Sequence, residues 1–266
     1  MLRDLEARQA VKAARSTSQD KSALHIDSER PICVLTLSDT HIGSWATDYR
    51  LFEAMTEEII NTPEFFVILL GDLTNMAIKL RNVAEIHGDA IDAGDQFDML
   101  ESWLDDIGHK VICATWDNHA AEREETVLGS SMTARILSRR VIYHKGIGHM
   151  ELGVGDQTYK LAVSHHFSGR SIYNPVHGAQ RYIVMEAPDR EIACCGDSHI
   201  PGVLNFMHGD THRIAINTGS IQTNSPYAKR YFSLSTHPVF PCFALSPDEH
   251  RAVSYWSPGD YLASRR

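Results

Sequence analysis

At 266 residues, with 43% hydrophobic and 22% charged residues, the chain has an ordinary globular composition and room for a substantial core. No apolar run approaches the roughly 20 residues that span a bilayer, and the N-terminal stretch mixes both charge signs without the apolar centre of a signal peptide. A net charge of −9 argues against a nucleic-acid partner held by a broad basic surface, while leaving open a local groove or a phosphate held by metal ions.

The five cysteines (Cys33, Cys113, Cys194, Cys195, Cys242) form no CxxC pair and mostly sit in strand-like runs, so they read as reduced core thiols of a cytoplasmic protein. Histidine is abundant, at 15. The informative ones stand beside Asp or Asn at the ends of strands.

In chain order, residues 1–30 read as a charged, helix-prone or partly disordered arm, and 31–266 as one mixed α/β domain. PICVLTLS (31–38) is a strand, followed by a helix over 47–60 that stops before Pro63. FFVILLG (65–71) is the next strand. A longer excursion leads to a helix over 96–107, then to the strand KVICAT (110–115) and a helix over 131–139. Strands apolar on both faces, alternating with helices, predict a sheet covered by helices. The second half turns to hairpins: GHMELGVGDQTYKLAVSHH, turning at 154–157, and VLNFMHGDTHRIAINTGS, turning at 208–211. Between them VHGAQRYIVMEAP is a helix closed by Pro188, and PCFALS and RAVSYWS supply two last strands.

Each major strand runs into a metal-type cluster: Ser38-Asp39-Thr40-His41, Gly71-Asp72, Asp117-Asn118-His119, His165-His166, and Gly196-Asp197-Ser198-His199. In open α/β sheets the loops at the carboxyl ends of strands form the ligand crevice. Asp, Asn and His are the side chains that bind borderline-hard divalent cations. A single Asp-x-His is an ordinary turn, but the recurrence at successive strand ends points to a metal site.

These motifs resemble the calcineurin-like metallophosphoesterases, whose successive signatures are DxH, GDxxD or GDxxN, GNH[DE], an isolated His, and GHxH. The matching positions are Asp39-Thr40-His41, Gly71-Asp72-Leu73-Thr74-Asn75, Asp117-Asn118-His119-Ala120, His165, and Gly196-Asp197-Ser198-His199, and the likeness covers about residues 32–256. More loosely, the arrangement is similar to phage and bacterial members of that family. The resemblance implies a mixed β-sheet sandwich flanked by helices, in four α/β/β/α layers. It also implies two divalent metal ions, Mn2+ first with Mg2+, Fe or Zn2+ as alternatives. Asp72 would bridge them, Asp39, His41 and His199 would complete one shell, and Asn118, His165 and Asp197 the other. Two such cations lower the pKa of bound water and stabilise an in-line displacement, so a bridging hydroxide would be the nucleophile. In the family the histidine at His119 stabilises the transition state or protonates the leaving oxygen, as a group titrating near neutrality can.

Residue type alone does not separate His165 from His166. On a strand they point to opposite faces, so one is expected to bind metal and the family pattern favours His165. His166, Asn75, Arg170 and His87 are candidates for substrate contact. Asp117 replaces the family Gly, Ala120 the acid, Asn75 an Asp that orients the catalytic histidine, and Asp197 the first His of GHxH. Met76 stands where protein phosphatases carry Arg, so a phosphodiester or nucleotide is expected over a phosphoprotein. A small nucleotide or single-stranded nucleic acid competes as substrate, with specificity expected in 76–95, 167–180 and 221–238 (Tyr227, Lys229, Arg230, Tyr231). Two alternatives are a phosphomonoesterase and a catalytically degenerate binding or scaffold module.

Overall fold

The computed structural model describes residues 20–76, 89–118, 120–223 and 238–265. The chain opens with β1 (Asp20–Ile26) and β2 (Ile32–Leu37), the latter buried at every position. Helix α1 (Tyr49–Asn61) starts where the Asp48 carboxylate accepts the Leu51 N–H and stops ahead of Pro63. Then come β3 (Phe65–Leu69), α2 (Ala93–Ile107) capped by Asp92, and β4 (Val111–Thr115). Two short helices follow, α3 (Ala120–Leu128) and α4 (Met132–Arg140), with Ser131 capping the second. After β5 (Tyr143–His144) the hairpin β6 (Gly148–Val154) and β7 (Gln157–Val163) turns on Gly155-Asp156, with Gly155 at φ +52°. A glycine first in a two-residue loop is the type II′ pattern. Helix α5 (His177–Arg181) runs into a π-helical turn (Tyr182–Glu186) and then β8 (Ile192–Cys195). A second Gly-Asp hairpin joins β9 (Gly202–His208) to β10 (Thr211–Asn217), and β11 (Cys242–Leu245), β12 (Ala252–Tyr255) and α6 (Pro258–Ser264) close the chain.

Two mixed six-stranded sheets result, ordered β12-β11-β2-β3-β4-β5 and β1-β6-β7-β8-β10-β9. Strands β2 to β5 are mutually parallel, and so are β7, β8 and β10. Side-chain alternation sorts the core into three layers. Val34, Ile68 and Phe243 meet Leu152, Leu161 and Ile214 between the sheets. Leu35, Val67 and Leu69 on the outer face of the first sheet pack on Ile59, Trp103, Leu104 and Leu137 of α1, α2 and α4. Ala162, Ala193 and Ala215 on the outer face of the second sheet pack on Ala179, Tyr182 and Ile183. The order is therefore helices, sheet, sheet, helix, as expected of a mixed α/β fold with helices flanking a sandwich.

One expectation needs correction. Asp20–Ile26 lies within the stretch read as a helix-prone arm, yet it forms an edge strand in parallel register with β6, Leu24 opposite Leu152. Asp20 also accepts the N–H groups of Lys145 and Gly146 at 2.6 and 3.2 Å, fixing the start of that pairing. The partner lies more than a hundred residues away, so local periodicity carries no sign of it. All five cysteines are free and buried, and burial pushes the Cys113 thiol up to about 12. Among the described residues no helix is long and apolar enough to cross a membrane.

Candidate metal centre

Parallel neighbours end at the same edge. The carboxyl ends of β2, β3 and β4 therefore deliver Asp39, Asp72 and Asp117 to one rim of the first sheet, while β7 and β8 deliver His165 and Asp197 to the second. Several hydrogen bonds stitch these rims together. Thr218 Oγ1 donates to the Thr36 carbonyl at 2.7 Å, Ser220 Oγ to the Asp39 carbonyl at 2.8 Å, and the Asp197 N–H to Asp39 Oδ2 at 3.2 Å. Two glycines make the approach possible. A Cβ on Gly196 would lie 2.6 Å from Ser38 Cβ and 2.8 Å from Asp39 Oδ2. One on Gly71, itself at φ +92°, would lie 2.7 Å from Asp117 Cβ and 2.8 Å from His165 Nδ1.

The backbone marks the same place. Among the described residues the non-glycine positions with positive φ are Asp39, His41, Asp72, Met76, Asp197 and His199. All but Met76 are expected metal ligands. Asp and His enter the left-handed region more readily than most residues, yet each such position costs on the order of 1–3 kcal/mol and persists only where neighbours enforce it. Here they do: the Asp39 N–H donates to the Gly71 carbonyl and the His41 N–H to the Asp72 carbonyl, both at 3.0 Å, and Thr47 Oγ1 donates to the carbonyls of Thr40 and His41 at 2.9 Å.

The side chains form two groups that share Asp39: Asp39 with His41 and His199, and Asp39 with Asp72 and His165, with ligand atoms within 4.8 Å of one another in each. His199 Nε2 lies 3.0 Å from Asp39 Oδ1. Asp72 Oδ2 faces both groups, 4.0 Å from His41 Nε2 and 3.4 Å from His165 Nε2. His165 Nδ1 sits 2.6 Å from the Leu70 carbonyl oxygen. A carbonyl only accepts, so Nδ1 carries the proton and Nε2 is the atom presented to the carboxylates.

This donor set fits divalent cations. Burial alone disfavours a charged His165 ring, but the carboxylates of Asp72, Asp39 and Asp117 outweigh it and hold its pKa well above the usual histidine value. His199 is raised too, with burial opposed mainly by Asp39. The cluster therefore calls for positive charge, which protons on these rings supply in the absence of a cation. A backbone-anchored imidazole facing two carboxylates is the arrangement that holds a metal-ligating histidine in place.

No protein-family model matches the chain, and no curated protein matches it. What the centre can do follows from its own residues.

Of the residues expected from sequence, Asp39, His41, Asp72, His165 and His199 come together. Asp197 stands one step out, its Oδ1 3.9 Å from His165 Nε2, while its Oδ2 meets His166 Nδ1 at 3.2 Å and Arg170 Nη2 at 3.5 Å. Burial works against its charge, but the His166 hydrogen bond and the neighbouring His165 hold its carboxyl below the usual range. His166 and Arg170 are thus tied to the rim through Asp197, with side chains 45% and 83% exposed. Asn75 is buried and donates to Asp89 Oδ1. His119, His87, Tyr227, Lys229, Arg230 and Tyr231 lie outside the described residues.

The β4 loop departs from expectation. Asn118 is exposed, whereas Asp117 is fully buried and its Oδ1 accepts the Ala120 and Ala121 N–H groups, both at 2.8 Å, starting α3. Burial, then the Asp72 charge, raises its carboxyl to about 7 against the opposing pull of His165 and the two N–H bonds. The sequence places Asp117 in a strand-end cluster, but the family pattern assigns the ligand role to Asn118 and sets Asp117 at the position of a glycine. Strand parity carries no plain signal for this, because Ile112 and Cys113 both face the inter-sheet core where the register between β3 and β4 shifts, and β4 ends at Thr115.

Proposed function

We propose that the chain is a dinuclear metal-dependent phosphoesterase of the calcineurin-like kind, hydrolysing a phosphodiester or nucleotide. The observation that carries this reading is the pair of ligand groups sharing Asp39, set at the carboxyl ends of parallel strands from both sheets. The helix, sheet, sheet, helix layering supports the same family fold.

In this reading Asp39, His41 and His199 hold one cation, and Asp39, Asp72 and His165 the other, with Asp72 Oδ2 turned to both. When bound, such a pair supplies an acidified water and Lewis-acid stabilisation of the phosphoryl oxygens. The protein's part is to fix the carboxylates in a strained but enforced backbone, to anchor His165 on Leu70, and to keep the ligand loops rigid. A cysteine nucleophile fits poorly, because burial raises the thiols of Cys194 and Cys195 far from the thiolate form. Asp197, anionic and bonded to His166 and Arg170, ties two exposed nitrogen-bearing side chains to the rim, and in this reading they meet the substrate phosphate. His119, from the motif, is the proposed proton donor to the leaving oxygen.

Metal analysis of protein purified without chelator, followed by assays with bis-p-nitrophenyl phosphate, p-nitrophenyl phosphate and single-stranded DNA in Mn2+, tests the reading. Close to two ions per chain and diester cleavage are expected. Protein that takes up no Mn2+ would sink the two-metal reading. Uptake without hydrolysis of any ester would leave a binding module, and monoester cleavage alone would overturn the diester preference.

A further inference from the structure

We propose that Tyr173, with Ile172 beside it, forms a stacking platform for an unpaired nucleobase of the substrate, whose phosphodiester lies toward Arg170. The inference deepens the phosphoesterase reading, to which it adds the substrate class, and rests on it.

The platform belongs to an arch over the last ligand loop. Residues 166–176, between β7 and α5, touch the loop 196–202 at both of their ends. At the near end His166 Nδ1 lies 3.2 Å and Arg170 Nη2 3.5 Å from Asp197 Oδ2. At the far end Pro175 and Val176 lie against Gly202, where an added Cβ would come within 3.1 and 3.0 Å of them. His199, which faces Asp39 Oδ1 at 3.0 Å, falls between these two points of the ligand loop in sequence. The arch is also ordered from within. Phe167 is buried and stacked on Tyr182, with ring centroids 4.7 Å apart. The Tyr173 N–H donates to Ser171 Oγ at 3.2 Å, and Asn174 accepts the Val176 N–H at 3.1 Å while donating to Gln180 at 3.0 Å. A Cβ on Gly178 would meet the Phe167 and Gly169 carbonyl oxygens at 2.7 and 3.0 Å, so the arch lies close on α5.

Between these anchors Ile172 is 90% and Tyr173 91% exposed, and among the described residues no other large apolar side chain is as open to water. Single exposed apolar residues are ordinary. Two adjacent ones, on a loop tied down at both ends beside a candidate metal centre, mark a binding surface. Tyr173 follows Arg170 by three residues, a reach of at most about 10 Å, so one ligand can meet both. A cation for the backbone and an aromatic ring for the base is the pairing that holds single strands, and the ring accepts any base because every base has a π-face. Duplex DNA keeps its base faces stacked and is held through many cationic contacts, which a chain of net charge −9 is poorly made to supply.

The test is equilibrium binding in Mn2+, read by fluorescence anisotropy. The probes are a labelled oligothymidylate with hydrolysis-resistant phosphorothioate linkages and an abasic strand of the same length and charge. Wild type is expected to bind the base-bearing strand the more tightly. Tyr173→Ala should lose roughly fivefold or more on that strand and nothing on the abasic one, while Tyr173→Phe should keep wild-type affinity for both. Truncating a side chain this exposed leaves the fold in place, so both variants should melt as wild type does. Equal affinity of wild type for the two strands overturns the inference, as does a loss in Tyr173→Ala that is the same on both. So does a wild type that sediments as a dimer and becomes monomeric in Tyr173→Ala, since the surface then serves a second copy of the chain. Wild type that cleaves bis-p-nitrophenyl phosphate but binds neither strand refutes the nucleobase and leaves the phosphoesterase. Wild type that takes up no Mn2+ is a different failure, because it removes the two-metal reading underneath.

Discussion

His165 donates its Nδ1 proton to the Leu70 carbonyl at 2.6 Å, so Nε2 alone is left to answer Asp72 Oδ2 at 3.4 Å. Leu70 lies just past β3 and His165 just past β7, so one hydrogen bond joins the two sheets at the rim where the candidate ligands gather. The same bond fixes which nitrogen can bind. The arrangement gives the metal-free protein a definite proton inventory.

That inventory predicts a pH dependence. His165 and His199 have raised pKa values in the folded chain. Their contribution to stability is fully present below the unfolded histidine value of about 6.5 and is lost as pH rises through the raised folded values. Asp117, raised to about 7, acts in the same direction. The unfolded chain gives up this proton from about pH 3.9, so stability falls between there and about 7. Asp197 is lowered, and its contribution is already complete across this window. Chelator-treated protein should therefore melt at progressively lower temperature as pH rises from about 5.5 to about 8. Saturating Mn2+ should remove the trend, because the cation displaces the protons. Thermal scans across that range check this, and a melting temperature that rises with pH in chelator contradicts it.

The glycine contacts predict a second effect. Gly71→Ala forces a side chain into the left-handed region at φ +92° and into Asp117 Cβ and the His165 ring. The backbone penalty of about 1–2 kcal/mol adds to an overpacking cost of about 1–3 kcal/mol. Gly196→Ala has no such φ, but its methyl meets Ser38 Cβ and Asp39 Oδ2. Both should lower Mn2+ affinity, and Gly71→Ala should lose more stability in urea unfolding. Equal and negligible losses would mean that the ligand loops are not held as closely as the contacts indicate.

Asp72→Asn separates charge from shape. Asp72 sits at φ +49°, which Asn adopts at least as readily, so the loop should keep its path. The variant should fold with a far-UV spectrum like wild type, yet lose the proposed phosphoesterase activity by more than about a hundredfold, beyond what outer partners of a metal site are worth. Circular dichroism and a diester assay in Mn2+ measure the two halves independently. Retained activity in a folded variant would remove Asp72 from the centre.

Strands such as ICVLTL, FFVIL and VICAT are legible in sequence because burial on both faces leaves an unbroken apolar run. The Gly-Asp hairpins are legible because the turn needs a positive φ at one place. Helix α3 is not, because its buried members include Arg123 and Glu124, and Glu124 is buried to receive the Thr133 N–H and hydroxyl at 3.0 and 2.6 Å. The candidate ligands are legible because Asp and His recur at strand ends. That Asp117 is buried while Asn118 is exposed depends on the path of the chain past the last ladder pair, after an irregularity at Ile112 has already broken the alternation of β4. Asp197 differs again: its type was readable, but its tie to His166 and Arg170 arises only from three-dimensional folding of the loop after β7.

Arg170 gives the sharpest separation of binding from architecture. Its guanidinium reaches Asp197 Oδ2 at 3.5 Å while the side chain is 83% exposed, so solvent screens the pair and its worth to stability is under about 1 kcal/mol. Asp197 is held more firmly by His166, at 3.2 Å, and should keep its place without the arginine. Arg170→Ala should therefore melt within a degree or so of wild type. If the guanidinium meets an incoming phosphate, the same variant should raise KM for a diester several-fold with kcat little changed, the mark of lost ground-state binding. Arg170→Lys should recover only part of this, because a lysine cannot offer the planar fork that pairs with two phosphate oxygens. A fall in kcat at unchanged KM would instead place Arg170 against the reacting group. Unchanged kinetics would leave it a solvated rim residue whose contact with Asp197 has no part in substrate binding.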